Sequence, residues 1–218
     1  NDSFEHMVQP KMVYISNPTE VGTIYSKAEL TALSETCHKY GLYLFLDGAR
    51  LGYGLAAPDN DLTLPDIAAL CDVFYIGGTK VGALFGEAVV IKNPELAQDF
   101  RYIIKQNGGM LAKGRLLGLQ FDALFTDGLY QEISAHAIAM AEKLREAFTA
   151  KGYNYLAPNR TNQIFVIVPD AHLAKISEQF EYSYDQRIDA THSCVRFCTS
   201  WATKEENVDS LIRCVEKL

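Results

Sequence analysis

Hydrophobic residues in the first fifty positions switch between strand-like runs and helical spacing. Segment 11–16, KMVYIS, has the composition of a short strand. Ser26 then opens a capping box with Glu29, and apolar residues follow at helical spacing as far as Gly41. The next run, LYLFL at 42–46, is continuously apolar, which is typical of a strand covered on both faces. A strand, a helix and a strand in this order predict a βαβ unit and a parallel sheet.

The same pattern continues further along the chain. It predicts a short helix at 66–71, a buried strand in DVFYIGG at 72–78, a third strand in EAVVIK at 87–92 and a helix at 94–106. After a break at 107–109, the pattern predicts helices through LLGLQFDALF and over 131–150, strands at 164–168 and 193–198, a helix at 171–180 capped by Asp170, and a last helix opened by a capping box at 203–206.

The order of these elements suggests two structural units, one of the α/β class and one of the α+β class. We expect residues 1–130 to form part of a large α/β domain and residues 131–218 to form a small α+β domain at the carboxy terminus. The chain has 218 residues, 48% of them hydrophobic, which is enough for one large or two modest cores.

Charge and cysteine content exclude several classes of partner. The formal net charge of −7 argues against a nucleic-acid surface or an anionic membrane as partner. The five cysteines are odd in number, lack metal-finger spacing and lie mostly in apolar segments, so we expect reduced cysteines in a cytoplasmic protein. Cys194 and Cys198 could bind a metal, although two residues on the same face of a strand is the favoured interpretation.

Polar residues follow three of the predicted strands at the point where each ends. These are Asn17, Asp47 with Arg50, and Lys80. In open α/β sheets, ligands lie beyond the carboxyl ends of the strands, so an acid, an arginine and a lysine would meet at one edge. Taken separately, Asp47 and Arg50 could be an ion pair in a turn and Lys80 a loop lysine; together they favour a site.

Lys80 lies in a segment of glycines and apolar residues, YIGGTKVGALFG at 75–86, which a solvated lysine does not require. Desolvation would lower its pKa and free the amine as a nucleophile. Pyridoxal phosphate chemistry needs such a lysine for a Schiff base, a carboxylate at the ring nitrogen, and an arginine for the substrate carboxylate. Neighbouring glycines would leave room for a flat ring beside the backbone.

Two nucleotide-binding motifs compete with this interpretation. Residues 52–57 fit G-x-G-x-x-A, but Pro58 and a polar stretch follow where a dinucleotide fold needs a helix. The segment GGTKVG at 77–82 resembles a phosphate loop but lacks the Gly-Lys-Ser/Thr that such a loop requires. Both motifs are therefore weak.

The motif Asp-Gly-Ala-Arg at 47–50, the strand ahead of it and the lysine downstream resemble the threonine aldolase and β-eliminating lyase family, which has PLP fold type I. Gly-Gly-Met at 108–110 and VRFCTSW at 195–201 match the family in the same order. The resemblance implies an aspartate aminotransferase-like fold. Its parts would be the second half of a mainly parallel cofactor-domain sheet with helices on both faces, and a small α+β domain.

The resemblance also implies roles for individual residues. Lys80 would be the catalytic Schiff-base lysine, with Thr79 in place of the usual serine, and Asp47 would face the pyridine nitrogen of pyridoxal 5'-phosphate. Arg50 would lie near the cofactor and the substrate carboxylate. Arg196 would bind the same carboxylate, because flanking Val195 and Phe197 point to the other face of the strand; the alternative is an edge-strand arginine with an exposed head. Asn17 is expected on the substrate side.

The chain also departs from the family pattern. Leu111 stands where the aldolases place an arginine for the neighbouring subunit's cofactor phosphate, with Lys105 and Lys113 as possible substitutes. Phe45 stands where a histidine is common, and His192 is the histidine nearest to Arg196 in sequence. The phosphate loop and the ring-stacking residue of the family have no counterpart here. We therefore expect the carboxy-terminal part of a longer enzyme.

The function that this resemblance implies is a PLP-dependent lyase of amino acid metabolism. It would cleave a β-hydroxy amino acid to glycine and an aldehyde, as a low-specificity threonine aldolase does. The alternatives are β-elimination from an amino acid, and a catalytically incomplete fragment that needs a partner chain; an aminotransferase is less favoured. Family membership also implies a homodimer or homotetramer.

Overall fold

The computed structural model describes residues 5–218, and these residues build two four-stranded sheets with helices packed around them. The strands are β1 (Met12–Ser16), β2 (Tyr43–Asp47), β3 (Val73–Gly77), β4 (Glu87–Ile91), β5 (Asn154–Tyr155), β6 (Gln163–Pro169), β7 (Ser183–Arg187) and β8 (His192–Cys198). The helices are α1 (Lys27–Lys39), α2 (Leu51–Leu55), α3 (Leu64–Leu70), α4 (Pro94–Ala97), α5 (Phe100–Gln106), α6 (Arg115–Phe125), α7 (Leu129–Ala150), α8 (Asp170–Ile176) and α9 (Glu205–Glu216).

The first sheet has the order β1-β2-β3-β4, and its first three strands are parallel, as the sequence predicts. The last strand, β4, runs antiparallel to β3. The connection from Gly77 to Glu87 contains no helix, and a parallel crossover needs a dozen or more residues, usually including one. The carboxyl ends of β1, β2 and β3 consequently lie side by side at one edge.

Helices α1 and α3 cover one face of this sheet. Leu44 and Leu46 alternate along β2 and pack with Leu30 of α1 and Ile67 of α3; all four are fully buried. The capping box of Ser26 with Glu29 begins α1 as predicted, and Gly41, with φ of 65°, follows its end. This face therefore holds the core of the first unit.

The opposite face of the first sheet is partly open among residues 5–218. Tyr14 and Phe45 stack on it with ring centroids 5.2 Å apart, and Phe45 meets Tyr75 edge-on. Leu96 and Phe100, from α4 and α5, border a groove at its edge. Helices therefore flank both faces, but the coverage is unequal.

The second sheet has the order β5-β6-β8-β7 and is antiparallel throughout. Its core lies against α7, α8 and α9 and includes Phe148, Ile164, Val195 and Val208. This is the small α+β arrangement that the sequence predicts. The boundary between 130 and 131 stays a prediction, because α7 contributes side chains to this core and to a smaller one beside β3.

Three local predictions are wrong. The predicted helix at 94–106 is two helices, α4 and α5, separated at Gln98 and Asp99, where Asp99 has φ of 57°. The predicted capping box at Thr203 is absent, because the Thr203 hydroxyl accepts the backbone N–H of Ser200 instead. Helix α8 ends at Ile176 rather than 180. Asp170 is its first residue and binds Arg187 and Ser193 instead of capping it.

None of the helices in the described part of the chain is long and apolar enough to cross a membrane. All five cysteines are unpaired thiols. Between residues 5 and 218 there is no group of three or more histidine, cysteine, aspartate or glutamate side chains that could hold a metal ion.

Candidate active site

Asp47 is the last residue of β2, and Asn17 and Lys80 follow the carboxyl ends of the neighbouring parallel strands β1 and β3. Asn17 is 2% exposed, and its backbone N–H donates to the Asp47 carbonyl at 2.9 Å. Its side-chain oxygen accepts the Tyr25 amide at 3.2 Å. The structure therefore places Asn17 at the predicted edge. Its side-chain amide oxygen is already hydrogen-bonded to the loop that follows β1.

The Asp47 carboxylate is surrounded by hydrogen-bond donors. The Tyr14 hydroxyl donates to Oδ2, and the Ala49 backbone N–H donates to Oδ1 at 2.9 Å. Partial burial by itself would raise the pKa of Asp47. Hydrogen bonds from Tyr14, Tyr75 and Ala49, with the nearby charge of Lys80, reverse this and hold the pKa below its ordinary value. Asp47 is therefore an anion at neutral pH.

The backbone of Lys80 is fixed, whereas its side chain is exposed. Tyr53 of α2 is 1% exposed, its hydroxyl donates to the Lys80 carbonyl, and the same hydroxyl accepts the Trp201 N–H at 3.3 Å. The prediction of a desolvated Lys80 is wrong for residues 5–218, because the side chain reaches solvent at the open edge. Thr79 is exposed as well, and its hydroxyl lies 3.4 Å from the Gly86 carbonyl.

The glycines before Lys80 are required by packing of the chain itself. A Cβ on Gly77 would lie 2.3 Å from the Ala49 carbonyl oxygen, and one on Gly78 would lie 2.6 Å from that of Gly86. The prediction that these glycines leave room for a flat ring stays a prediction. They allow the ends of β2, β3 and β4 to come together.

A cleft joins this edge to the second sheet. Arg50, Lys80, Asn162 and Trp201 contribute to its lining, together with Tyr53. Within residues 5–218 no ion pair connects Arg50 to Asp47, which leaves the guanidinium available to the cleft. Asn162 is 5% exposed, and its side-chain oxygen has no hydrogen-bond partner in the described structure. The cleft therefore combines two cations with a buried polar group.

Arg196 lies on β8, an interior strand between β6 and β7, two residues before Cys198, which lines this cleft. Val195 and Phe197 point into the core, whereas Arg196 lies over the Phe165 ring, with 5.9 Å between the guanidinium carbon and the ring centroid. The edge-strand alternative is therefore wrong. Nη1 donates to the Gln163 side chain at 3.3 Å, and the buried Nε has no partner in the part of the chain described.

The charges of Arg196 and Arg50 both influence the pKa of the Cys198 thiol. Burial raises its pKa, and the charges of Arg196 and Arg50 oppose that rise without reversing it. Cys198 and Arg50 line the same cleft, and Arg196 precedes Cys198 by two residues on β8. His192, by contrast, pairs with Asp189 at 3.0 Å in a surface turn.

The predicted substitutes for the phosphate-binding arginine lie on the surface. Lys105, Lys113 and Leu111 are all exposed, and none of them lines the cleft beside Lys80. Their role in phosphate binding stays a prediction.

Sequence reasoning missed the tyrosines that support the site. Tyr14 and Tyr75 hold Asp47, and Tyr53 holds the backbone of Lys80. Strand alternation gives a signal for Tyr14 and Tyr75, because both lie on the same face of the sheet as Asp47. Tyr53 has no such signal, since its partners are 27 and 148 residues away.

Comparisons with known proteins show the family of the chain. The sequence profile of the beta-eliminating lyase family matches residues 1–171. Low specificity L-threonine aldolase from Pseudomonas sp. is 33% identical over 210 residues, which are 94% of this chain and 59% of the relative. The Pseudomonas aeruginosa enzyme of the same name is 32% identical over 95% of this chain and 60% of its own length.

Solved structures give the same result at the level of the fold. Leishmania major threonine aldolase superposes with a TM-score of 0.96 at 46% identity, covering 99% of this chain and 63% of that one. Thermus thermophilus aspartate aminotransferase superposes with a TM-score of 0.68 at 17% identity, covering 95% of this chain and 57% of that one, which shows the shared PLP fold type I alone. The chain spans about three fifths of the length of the relatives it matches. Profile, sequence and structure agree, and the chain belongs to the beta-eliminating lyase family.

Proposed function

We propose that this chain provides the lysine, the ring-nitrogen carboxylate and the carboxylate-binding arginines of a PLP-dependent carbon–carbon lyase. The substrate would be a β-hydroxy amino acid, and the products glycine and an aldehyde. The observation that carries the proposal is the placement of Lys80 and Asp47 at adjacent strand ends, with Lys80 and Arg50 both lining one cleft.

The residues present fit pyridoxal 5'-phosphate in two respects. Lys80 offers a reachable amine for the cofactor aldehyde, and Asp47 offers an anion held ready by three hydrogen bonds. When bound, the cofactor would supply an electron sink for the pair released when a bond to the substrate Cα breaks. Thr79 and Arg50 are proposed to border it.

The chain's own residues would keep charges and protons in place. Ionised Asp47 would keep a proton on the pyridine nitrogen, and its low pKa makes this possible at neutral pH. The Arg196 and Arg50 guanidinium groups would hold the substrate carboxylate, since a planar fork can bind both of its oxygens. Asn17 is proposed to lie on the substrate side. Lys80 would carry a proton to or from the substrate once its amine is free.

The relatives favour aldol cleavage over β-elimination. The two Pseudomonas relatives and the Leishmania major structure carry the name threonine aldolase, whereas the family as a whole is named for β-elimination. The proposed site residues would serve both reactions, because both reactions need arginines that bind the substrate carboxylate and an anion at the ring nitrogen.

We also propose that the protein assembles as a homodimer or homotetramer in the cytoplasm. An apolar surface around α6 supports assembly: Leu84 is 86% exposed, and Phe85, Leu111, Leu116 and Leu119 are each at least half exposed. Exposed apolar side chains that lie close together commonly mark interaction surfaces. Sedimentation or light scattering would measure the assembly, and a monomer at all concentrations would contradict it.

The first test is covalent labelling. The purified chain is mixed with pyridoxal 5'-phosphate, the visible absorption is recorded, and borohydride then fixes the cofactor to any lysine that has reacted. Mass spectrometry should locate the label on Lys80. Lys80→Ala should abolish it, and Lys39→Ala, on the far end of α1, should leave it unchanged. Absence of label on Lys80 at saturating cofactor would contradict the proposal.

The second test separates the two reactions by their products. With threonine, aldol cleavage gives glycine and acetaldehyde, whereas β-elimination gives ammonia and 2-oxobutyrate. We expect glycine and acetaldehyde in equal amounts. Ammonia with the keto acid would favour elimination, and amino transfer to an added keto acid would favour an aminotransferase. A labelled Lys80 with no product would support the fragment that needs a partner chain.

A further inference from the structure

Gln163, the first residue of β6, connects Arg196 to the loop that follows β1. It is completely buried. Its side-chain N–H donates to the Glu20 carbonyl at 3.1 Å, and its side-chain oxygen accepts Nη1 of Arg196 at 3.3 Å. Moving a buried amide whose nitrogen and oxygen are both hydrogen-bonded is energetically unfavourable, because the loss of either bond leaves a buried polar atom without a partner.

The orientation of this amide is fixed by the chemistry of its two partners. The Glu20 carbonyl can only accept a hydrogen bond, and the Arg196 guanidinium can only donate one. The amide nitrogen must therefore face the loop and the amide oxygen must face Arg196, since a flipped amide would satisfy neither partner. Gln163 thus presents a fixed acceptor to one nitrogen of Arg196.

Two neighbours of Gln163 bind the same loop but do not contact Arg196. The Asn159 side chain donates to the Val21 carbonyl at 2.8 Å, and the Thr161 hydroxyl donates to the Gly22 carbonyl at 3.0 Å. The three side chains together hold three successive carbonyls, at positions 20, 21 and 22. Thr161 therefore offers a matched control, because it holds the loop without touching the guanidinium.

Arg196 is only partly satisfied by these contacts. Gln163 engages Nη1, while the buried Nε has no partner among residues 5–218. We infer that Gln163 is a positioning residue. It fixes the rotation of the Arg196 guanidinium so that the Nε edge stays available to a substrate carboxylate. This inference rests on the proposed carboxylate-binding role of Arg196.

The experiment measures ligand binding rather than turnover. Trp201 is the single tryptophan of the chain and lines the cleft beside Lys80, so its fluorescence reports binding there. The cofactor-loaded protein is titrated with glycine and with methylamine, which is glycine without its carboxylate. Gln163→Met, which keeps the length of the side chain but removes its hydrogen bonds to Glu20, Arg196 and Cys198, is compared with Thr161→Val.

We expect Gln163→Met to raise the Kd of glycine about three- to tenfold, the range that loss of one typical hydrogen bond gives, and to leave methylamine binding unchanged. Thr161→Val should leave both affinities unchanged. In kinetic assays Gln163→Met should raise KM more than it lowers kcat. An unchanged Kd for glycine in Gln163→Met would overturn the inference, as would an equal rise in Thr161→Val, which would assign the effect to the loop.

Two further variants keep the test decisive. If Gln163→Met does not fold, Gln163→Glu replaces it: its own carboxylate would occupy Arg196 and compete with glycine, so Kd should rise, and an unchanged Kd overturns the inference. Arg196→Lys tests the underlying role, and unchanged glycine binding there removes both that role and the inference. Label on Lys80 is independent of all these variants, so failure of the proposed function would be recognised separately.

Discussion

At the scale of the residue, Asp47 illustrates how hydrogen bonding can outweigh partial burial. Burial favours the neutral acid, but each donor from Tyr14, Tyr75 and Ala49 favours the anion. The same contacts act in the opposite direction on Tyr14, whose pKa is raised first by its hydrogen bond to Asp47. The group of one carboxylate and two phenols therefore keeps its single negative charge on Asp47.

Tyr75→Phe should raise the pKa of Asp47, because one hydrogen bond to the ionised form is lost while the burial remains. A pKa lowered by folding stabilises the native state above the unfolded value near 4. That contribution is lost as pH falls through the folded value. The variant should therefore lose less stability than the wild type on acidification. Carboxylate titration by NMR gives the pKa, with Tyr40→Phe, on a tyrosine that is 69% exposed, as control. An unchanged pKa in Tyr75→Phe would contradict the expectation.

At the scale of the element, identical cap motifs have different outcomes. Ser26 with Glu29 and Thr63 with Asp66 form complete capping boxes, whereas the same spacing at Thr203 forms none. The Thr203 hydroxyl is instead bound by the Ser200 amide in the turn after β8. A local motif predicts a cap only where no tertiary or turn contact competes for its side chain.

Ser26→Ala should destabilise the protein by about 1 kcal/mol, since it removes the hydroxyl that accepts the Glu29 amide and donates to the Glu29 side chain. Chemical denaturation provides the measurement. Thr36→Ala, on the exposed face of the same helix, should change stability by less than about 0.5 kcal/mol. Equal losses in the two variants would mean that the capping box contributes nothing.

Backbone shape separates what the sequence could predict from what it could not. Runs of apolar residues predict every strand of the first sheet, and Gly41 is a recognisable signal for the end of a helix. The break at Asp99 carries no such signal, because a left-handed aspartate depends on its surroundings. The antiparallel direction of β4 was predictable from the short connection before it, and the composition of that strand alone does not reveal it.

Gly22→Ala should destabilise the protein more than Gly41→Ala. Both glycines have positive φ, of 83° and 65°, so a side chain at either position is strained by about 1–2 kcal/mol. Gly22 carries an additional cost, because its Cβ would lie 2.7 Å from the Thr161 hydroxyl, while nothing lies within 4 Å at Gly41. Thermal unfolding of the two variants compares these costs directly. Equal losses would show that the loop can move away from Thr161.

At the scale of the whole molecule, two buried tyrosines connect the site to helices beyond it. The Tyr130 hydroxyl, from α7, donates to the Gly77 carbonyl at 3.0 Å and accepts the Gly52 amide at 3.1 Å. Tyr53 makes the corresponding pair of bonds to Lys80 and Trp201. Burial raises the pKa of Tyr53 to about 12, so its hydroxyl stays protonated and keeps donating.

Tyr130→Phe should cost about 1–3 kcal/mol, because it leaves a buried carbonyl and a buried N–H without their partner. Tyr102→Phe, on a side chain that is 76% exposed, should cost almost nothing. Denaturant midpoints with unchanged m-values would measure this difference. A Tyr130→Phe variant as stable as the wild type would show that water or backbone movement replaces both bonds.

The site could be predicted from sequence only where its residues follow strands or form a short motif. Lys80, Asp47 and Arg50 are candidates found in this way, whereas Arg196 is a candidate by family resemblance, and alternation along β8 predicts only the face on which it lies. Gln163 and Tyr53 escape because their partners lie far away in the sequence. Their contacts are set by how the two sheets pack, which no local pattern records.

The bonds of Tyr53 have a consequence for attempts to divide or recombine this protein. Its hydroxyl connects Lys80, in the first sheet's unit, to Trp201, just beyond the last strand of the second. A chain cut before α7 would keep Lys80 and Asp47 on one piece but would separate Tyr53 from Trp201. Exchange of the carboxy-terminal piece between relatives would therefore have to preserve the backbone path at Trp201, even though that contact involves none of its side-chain atoms.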